Sequence, residues 1–284
     1  MREDIIEAMG ESSHEVSEGD RVFHCLSLET QKELVSRSGL TPRELSILAL
    51  ENGIIPLKYL KNIGTIGTDG QASLLESKVP VVGAGGIGGH AAELLARMGV
   101  GTIVLVDPDV FEESNLNRQD FATESSLGLS KVDVVSESLE AINCDVAVEA
   151  HRLAADSSNL AGLIEGADAV IDALDNIDDR LLLQEACRKG NVVMIHGAIA
   201  GSFLQAMTIF PGDPGLESLS TPRGEGEKTR GIETETGNPA TSPALAAAIQ
   251  VQEAIKVITG RGTTLRRRML YLDLDDWTLE FIEL

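Results

Sequence analysis

The run Gly83-Ala84-Gly85-Gly86-Ile87-Gly88 constrains this chain more than any other stretch. It directly follows the apolar segment Val79-Pro80-Val81-Val82 and opens a helical pattern. A buried strand that turns through glycines into a helix is the start of a βαβ unit whose turn cradles a phosphate. The glycines permit the tight turn and let backbone N–H groups approach the anion at the helix N-terminus, where the peptide dipoles favour negative charge. A second apolar segment, Thr102 to Val106, ends in Asp107, at about the 20-residue interval where a ribose-binding acid stands in such folds.

The pattern after Asp69-Gly70-Gln71 alternates in the same way. Strands are predicted at Val79 to Val82, Thr102 to Val106, Val146 to Glu149, Ala169 to Asp172 and Val192 to His196. Helices are predicted after Gly86, over Ser130 to Ile142 and over Asp178 to Lys189. Such alternation specifies a mostly parallel sheet with helices on both faces, an α/β fold of Rossmann-like type. Aromatic residues make up only 3% of the chain, so its core rests on aliphatic side chains, as suits buried parallel strands. Ser202 to Phe210 follows its neighbour too closely for a crossover and is predicted to pair antiparallel. Leu265 to Leu284 reads as a hairpin around Asp275-Asp276, completing an antiparallel extension. A helix over Ser242 to Thr259 is expected to present Leu245, Ala248, Val251, Ile255 and Ile258 on one face.

Residues 1–60 are acidic and mixed. Thr41-Pro42-Arg43-Glu44 forms a strong helix start, with Thr41 as cap and Glu44 bonding back, and Glu29 to Ser38 is a weaker helix candidate. The organisation expected is a helical extension over 1–60 and a Rossmann-like domain over 61–284. Within the latter, 211–239 is rich in Gly, Pro, Glu and Thr and reads as a mobile loop or flap.

The formal charge of −22 repels nucleic-acid phosphates and anionic lipid surfaces, so neither is expected as a partner. The same field repels ATP, and a nucleotide site here has to gather its few cations locally and recruit a divalent metal. The acidic N-terminus shows no signal peptide pattern and no apolar run has membrane-spanning length, so a cytoplasmic protein is expected. Cys25, Cys144 and Cys187 form no CxxC pair and exclude a four-cysteine zinc site.

The glycine turn alone leaves NAD and ATP open. The segment Ser114-Asn115-Leu116-Asn117-Arg118-Gln119 follows the Asp107 strand, Lys131 starts the next helix, and Asp175-Asn176 follows another buried strand. All leave the carboxyl ends of neighbouring strands, where ligands sit in open α/β sheets. Transfer at a triphosphate needs Arg and Lys to offset charge and a carboxylate for Mg²⁺. Arg118, Lys131 and Asp175 supply those groups, so the residues lean toward ATP.

The successive segments VVGAGGIGG, LVDPDVFEESNLNRQ, SKVD and DALDN resemble, in order and interval from roughly Asp69 to Gly260, the MoeB/ThiF/HesA adenylyltransferases of the ubiquitin-activating superfamily. The resemblance implies activation of the C-terminal Gly-Gly carboxylate of a ubiquitin-like sulfur carrier as an acyl-adenylate, as in molybdopterin, tungstopterin or thiamin biosynthesis. It implies Gly83, Gly85, Gly86 and Gly88 in the phosphate turn, with Gly86 as a contact. Asp107 would hold the ribose, Asn115, Arg118 and Lys131 the triphosphate, and Asp175 Mg²⁺. Asp109, Ser114 and Asn176 match accessory positions. It also implies a homodimer in which an N-terminal arginine crosses to the partner's triphosphate. This chain has Lys61 at that place, a less directional donor. The family's frequent CxxC zinc pairs and flap cysteine are missing, which disfavours thiol transfer.

Other readings stay open at this point: adenylation of a small-molecule carboxylate, an NAD-dependent oxidoreductase, or a noncatalytic scaffold of the same fold. The five histidines show no metal-binding spacing. His90, His196 and Cys187 read as packing groups.

Overall fold

The computed structural model describes residues 2–218 and 236–284. The N-terminal part begins with α1 (Arg2–Ser12), a hairpin of β1 (His14–Glu18) and β2 (Arg21–Leu26), then α2 (Leu28–Ser38), α3 (Pro42–Glu51) and β3 (Ile55–Pro56). The three strands form one small sheet in the order β1-β2-β3. The expectation of a helical extension is therefore corrected by a hairpin, whose strands are short and largely solvent-facing and so lack a clear alternation. The capping box at α3 is present: the Thr41 side chain accepts from Glu44 N and the Glu44 carboxylate accepts from Thr41 N. Arg43 on that helix donates to the Gly101 carbonyl at 2.6 Å and Thr102 Oγ1 at 3.0 Å, tying this part to the central sheet.

Helix α4 (Leu60–Glu76) contains a non-helical residue, Gly67, with φ 72°. Its glycines at 64, 67 and 70 suggest a loop by propensity. Burial of Ile63, Ile66, Leu74 and Leu75 overrides that preference.

The large sheet then forms from β4 (Lys78–Val82), β5 (Thr102–Val106), β6 (Ala147–His151), β7 (Ala169–Asp172), β8 (Val193–Ala200), β9 (Phe203–Ile209), β10 (Arg268–Asp273) and β11 (Leu279–Glu283). Its order is β11-β10-β9-β8-β7-β4-β5-β6. Strands β8, β7, β4, β5 and β6 run parallel, and β9, β10 and β11 add on antiparallel. The crossovers are α5 (Gly86–Met98), α6 (Lys131–Ile142), the short α7 (Leu160–Leu163) and α8 (Ile177–Gly190), while α9 (Thr241–Thr259) packs across the sheet. Strand β8 continues four residues past the predicted end at His196, because its hairpin with β9 supplies ladder partners out to Ala200.

Alternate residues of each central strand feed two apolar clusters. Val81, Leu105 and Ile171 pack under α5, α6 and α9, whereas Val82, Val104 and Val170 pack under α7 and α8. Burying each such side chain contributes about 1.5–3 kcal/mol. On α9 the predicted stripe holds at Leu245, Val251, Ile255 and Ile258, which are buried or pack on the core, and is corrected at Ala248, which is exposed; Ala246, Ala247, Gln250 and Ala254 are buried as well. Small alanines let the helix lie close to both α5 and β8, so its buried arc is wider than one apolar stripe.

Of the predicted flap, residues 211–218 are tacked down. Asp213 is buried and accepts from Arg266 at 2.5 Å and Arg267 at 2.9 Å, and Glu217 pairs with Arg188. Residues 219–235 of the flap lie outside the described residues. Among the described residues no helix is long and apolar enough to cross a membrane.

Candidate active site

The carboxyl ends of β7, β4, β5 and β6 open into one pocket of about 780 Å³. The glycine turn forms its floor. Gly83 has φ 98°, and a Cβ there would meet the Ala173 carbonyl oxygen at 2.5 Å, so only glycine lets β4 turn against the β7 exit. A Cβ on Gly88 would collide with the Gly83 carbonyl. Gly88 therefore permits close packing behind the turn and is not part of the pocket wall, which Gly83, Gly85 and Gly86 line. Helix α5 starts after Gly85, its N-cap residue, with no side-chain cap. The first-turn N–H groups that lack a partner inside the helix are left to a ligand, at the positive end of the dipole. His90 braces this turn from behind, its Nδ1 2.6 Å from the Gly86 carbonyl oxygen and its Nε2 3.0 Å from Asp120.

Asp107 does two things. It lines the pocket, and it holds the turn: Oδ2 accepts from Ala84 N at 2.7 Å and Oδ1 from Asp109 N at 2.9 Å. A carboxylate has lone pairs beyond those two bonds, so it can also accept a hydroxyl.

Lys131 at the first turn of α6 is 7% exposed, and its Nζ lies 3.0 Å from Asp109 Oδ2. The Asp109 side chain is 64% exposed at the pocket wall, so an incoming anion can take its place on the ammonium. Arg118 is held through Nη1 by the Ser114 carbonyl and Asn117 Oδ1, both at 2.9 Å. Asn115 is buried, and its Oδ1 accepts from Glu112 N at 3.0 Å, which shapes the loop that delivers Arg118. Asp175 is exposed in the pocket, its contact among the described residues being Asn176 Nδ2 at 3.4 Å.

The structure thus brings together Gly83, Gly85, Gly86, Asp107, Asp109, Asn115, Arg118, Lys131 and Asp175. It leaves three other candidates outside the wall. Ser114 contributes its carbonyl to Arg118. Asn176 caps α8, its Oδ1 accepting from Asp179 N at 2.9 Å. Lys61 is exposed and lies 2.5 Å from Glu18.

Sequence reasoning missed Arg152 and Arg180, two further cations in the wall, together with Asp179 and Asn238. Arg152 directly follows β6, so the same carboxyl-end rule that singled out Asp107 could have found it. Arg180 lies in the first turn of α8, where its guanidinium donates to the Leu174 carbonyl from Nε at 3.1 Å and Nη2 at 2.5 Å. The wall therefore sets Arg118, Lys131, Arg152 and Arg180 against Asp107, Asp109, Glu112, Asp175 and Asp179. That near balance leaves a polyphosphate's own charge to be offset. Two groups are buried and stand outside the pocket wall. Burial, with the Asp172 carboxylate nearby, pushes the Cys187 thiol up to about 12. His196 is fully buried against Asp172.

Comparison with known proteins places these features in context. The profile described as "ThiF family" matches residues 59–284. The SAMP-activating enzyme E1 of Haloferax volcanii is 37% identical over 217 residues, covering 76% of this chain and 80% of that protein. The molybdopterin-synthase adenylyltransferase of Escherichia coli is 33% identical over 222 residues, covering 76% and 88%. The chain spans 48% of the length of the adenylyltransferase and sulfurtransferase MOCS3 of Aedes aegypti, at 35% identity over 74% of its own residues. Among solved structures, Escherichia coli MccB with ATP aligns over 96% of this chain and 95% of its own, with a TM-score of 0.68 and 19% identity, a likeness of fold.

Proposed function

The chain belongs to the ThiF family, whose named relatives are adenylyltransferases and activating enzymes, and from that premise we propose a specific reaction for it. It joins the C-terminal carboxylate of a ubiquitin-like sulfur carrier ending in Gly-Gly to AMP from ATP, releasing pyrophosphate, for molybdopterin-, tungstopterin- or thiamin-type sulfur transfer. The observation that carries this reading is the pocket itself. An uncapped helix start, cations from four segments and a carboxylate with spare oxygens converge on one cavity at the strand ends.

In this reading Asp107 accepts a ribose hydroxyl and the turn N–H groups of Gly85 and Gly86 receive a phosphate. Arg118 and Lys131 offset charge on the transferring group, Lys131 exchanging Asp109 for a phosphate oxygen. The partner's carboxylate attacks the α-phosphorus in line, and pyrophosphate leaves. The chain supplies position and charge rather than a nucleophile. Mg²⁺ fits the donor set. Among the described residues no cluster of three or more His, Cys, Asp or Glu could cage a metal, and magnesium is ordinarily held by one or two carboxylates plus phosphates. Asp175 would hold it, and the ion would supply charge neutralisation on the phosphate oxygens. A cytoplasmic homodimer in which Lys61 reaches the partner's pocket completes the reading.

The test is ATP–pyrophosphate exchange with purified protein and candidate small proteins ending in Gly-Gly. Exchange that appears on adding such a partner, and disappears when its terminal Gly-Gly is removed, supports the proposal. Exchange driven instead by a free metabolite, with no response to any Gly-Gly protein, defeats it. Light scattering of the same sample reads the dimer.

A further inference from the structure

Asp172 closes β7 with a fully buried carboxylate that the reaction outlined above does not touch. Its Oδ1 accepts the Leu174 N–H at 3.1 Å. Its Oδ2 lies 2.7 Å from His196 Nδ1 and 3.7 Å from Arg180 Nε. His196, from the neighbouring strand β8, is also fully buried, and its Nε2 lies 3.2 Å from Gln205 Nε2 on β9. With Gln205 donating its amide, the ring accepts at Nε2 and carries its proton on Nδ1, facing the carboxylate. Burial holds the imidazole below its ordinary pKa although Asp172 pulls the other way, which keeps the ring a neutral donor. On the opposite face, Gln250 of α9 donates to the Asp172 carbonyl at 2.8 Å and the Ile195 carbonyl at 3.0 Å.

The effect of this network falls on Leu174. Its N–H is held by Asp172 and its carbonyl by Arg180. That carbonyl belongs to the peptide joining Leu174 to Asp175. The direction of the Asp175 side chain is thereby set by two pins, one fully buried and one partly buried. The second pin depends on His196. A buried anion that loses its hydrogen-bond donor is costly, and the nearest remaining cation is the Arg180 guanidinium. A charge–charge contact at this depth outweighs the bond to a neutral carbonyl, so Arg180 would move to Asp172 and release Leu174.

We propose that His196 is a positioning residue: by satisfying Asp172 it keeps Arg180 on the Leu174 carbonyl, and so presents the Asp175 carboxylate to a divalent cation carried on the nucleotide. The inference rests on the reading of Asp175 as the cation's protein ligand.

The experiment uses the full chain with a non-hydrolysable ATP analogue, and follows Mn²⁺ binding by electron paramagnetic resonance beside analogue binding in EDTA. His196→Leu is expected to weaken Mn²⁺ about 10-fold, the size typical of lost support behind a metal ligand, while metal-free analogue affinity, to which Arg180 contributes only one of four wall cations, falls less than about 3-fold. His196→Asn, whose amide can replace the Nδ1–H donor, is expected to recover Mn²⁺ affinity to within about 3-fold of wild type. Should His196→Leu not fold, Gln205→Leu takes its place, since it unlocks the tautomer from a partly exposed position, and a loss of about 3-fold is expected. A merely structural role predicts a lower unfolding temperature with wild-type Mn²⁺ affinity, and that result overturns the proposal. Equal losses in the Leu and Asn variants do so too. Wild-type Mn²⁺ binding that survives Asp175→Ala sinks the functional reading and this inference together, a result distinct from the other two.

Discussion

The parallel strands of the large sheet and its antiparallel extension share one hydrogen-bonded ladder, yet they differ in what they can build. Strands β7, β4, β5 and β6 are joined by crossovers, so their carboxyl ends all open on the same side, and Gly83, Asp107, Arg152 and Asp175 leave those ends into one pocket. Strands β9, β10 and β11 alternate in direction. Their exits fall on opposite sides by turns, and among the described residues no site accumulates there; instead the region ends in β11, every residue of which is exposed, beside Trp277 at 75% exposure. Parallel pairing concentrates loops, whereas antiparallel pairing disperses them. The buried Asp172–His196 pair sits where β7 meets β8, next to the point at which the sheet changes direction.

The largest effect that would break this contrast lies in the pocket. Asp175→Ala or Lys131→Ala is expected to lower partner-dependent ATP–pyrophosphate exchange by about 100-fold or more, with the unfolding temperature little changed. Exchange within a few-fold of wild type would show that the parallel ends do not carry the chemistry.

Next is backbone packing under the pocket. Gly88→Ala forces a Cβ into the Gly83 carbonyl and is expected to cost about 1–3 kcal/mol in urea unfolding, together with lost ATP affinity. In α1 the same change at Gly10 meets no atom within 4 Å and is expected to stabilise by about 0.5–1 kcal/mol. Equal responses at the two positions would refute the packing argument.

The antiparallel side supplies a pH test. The hydrogen bond from Arg266, with that from Arg267, holds the Asp213 carboxyl below its usual range. A folded pKa lower than the unfolded one stabilises the fold above the unfolded value, and that contribution fades as pH falls through it toward the folded value. Asp213→Asn is therefore expected to lower Tm by about 2–4 °C at neutral pH. The gap should close as pH falls below about 4. A gap that stays constant on acidification would assign the loss to packing alone.

The smallest effect belongs to the exposed hairpin, where Trp277→Ser should change stability by less than about 0.5 kcal/mol in chemical unfolding. A larger loss would mean that the hairpin packs on something in solution.

Much of this architecture was legible in the residues. The β5 and β7 spans, the α3 capping box and the antiparallel pairing of β9 follow from patterns within a few residues of one another. The hairpin of β1 and β2 was not legible, because its largely solvent-facing strands show little alternation. Helix α4 was hidden by Gly64, Gly67 and Gly70, whose low propensity is overcome only by the surfaces that bury Ile66 and Leu74. In the pocket, Asp107, Arg118, Lys131 and Asp175 were visible because each stands beside a strand end or a motif. Arg180 was not, since a cation in the first turn of a helix resembles any surface charge until its partner is known.

By itself, then, the sequence determined the alternation of strand and helix, the glycine turn at the head of α5 and the order in which the candidate site segments leave the strands. These are matters of periodicity and backbone sterics, which near neighbours in the chain control. Tertiary structure alone decided that β7 lies beside β4, that Lys131 is buried against Asp109, and that Asp172 is held by His196 behind Asp175. Partner choice for a charge depends on how far it is taken from water. That depth is set by segments remote in sequence packing over it.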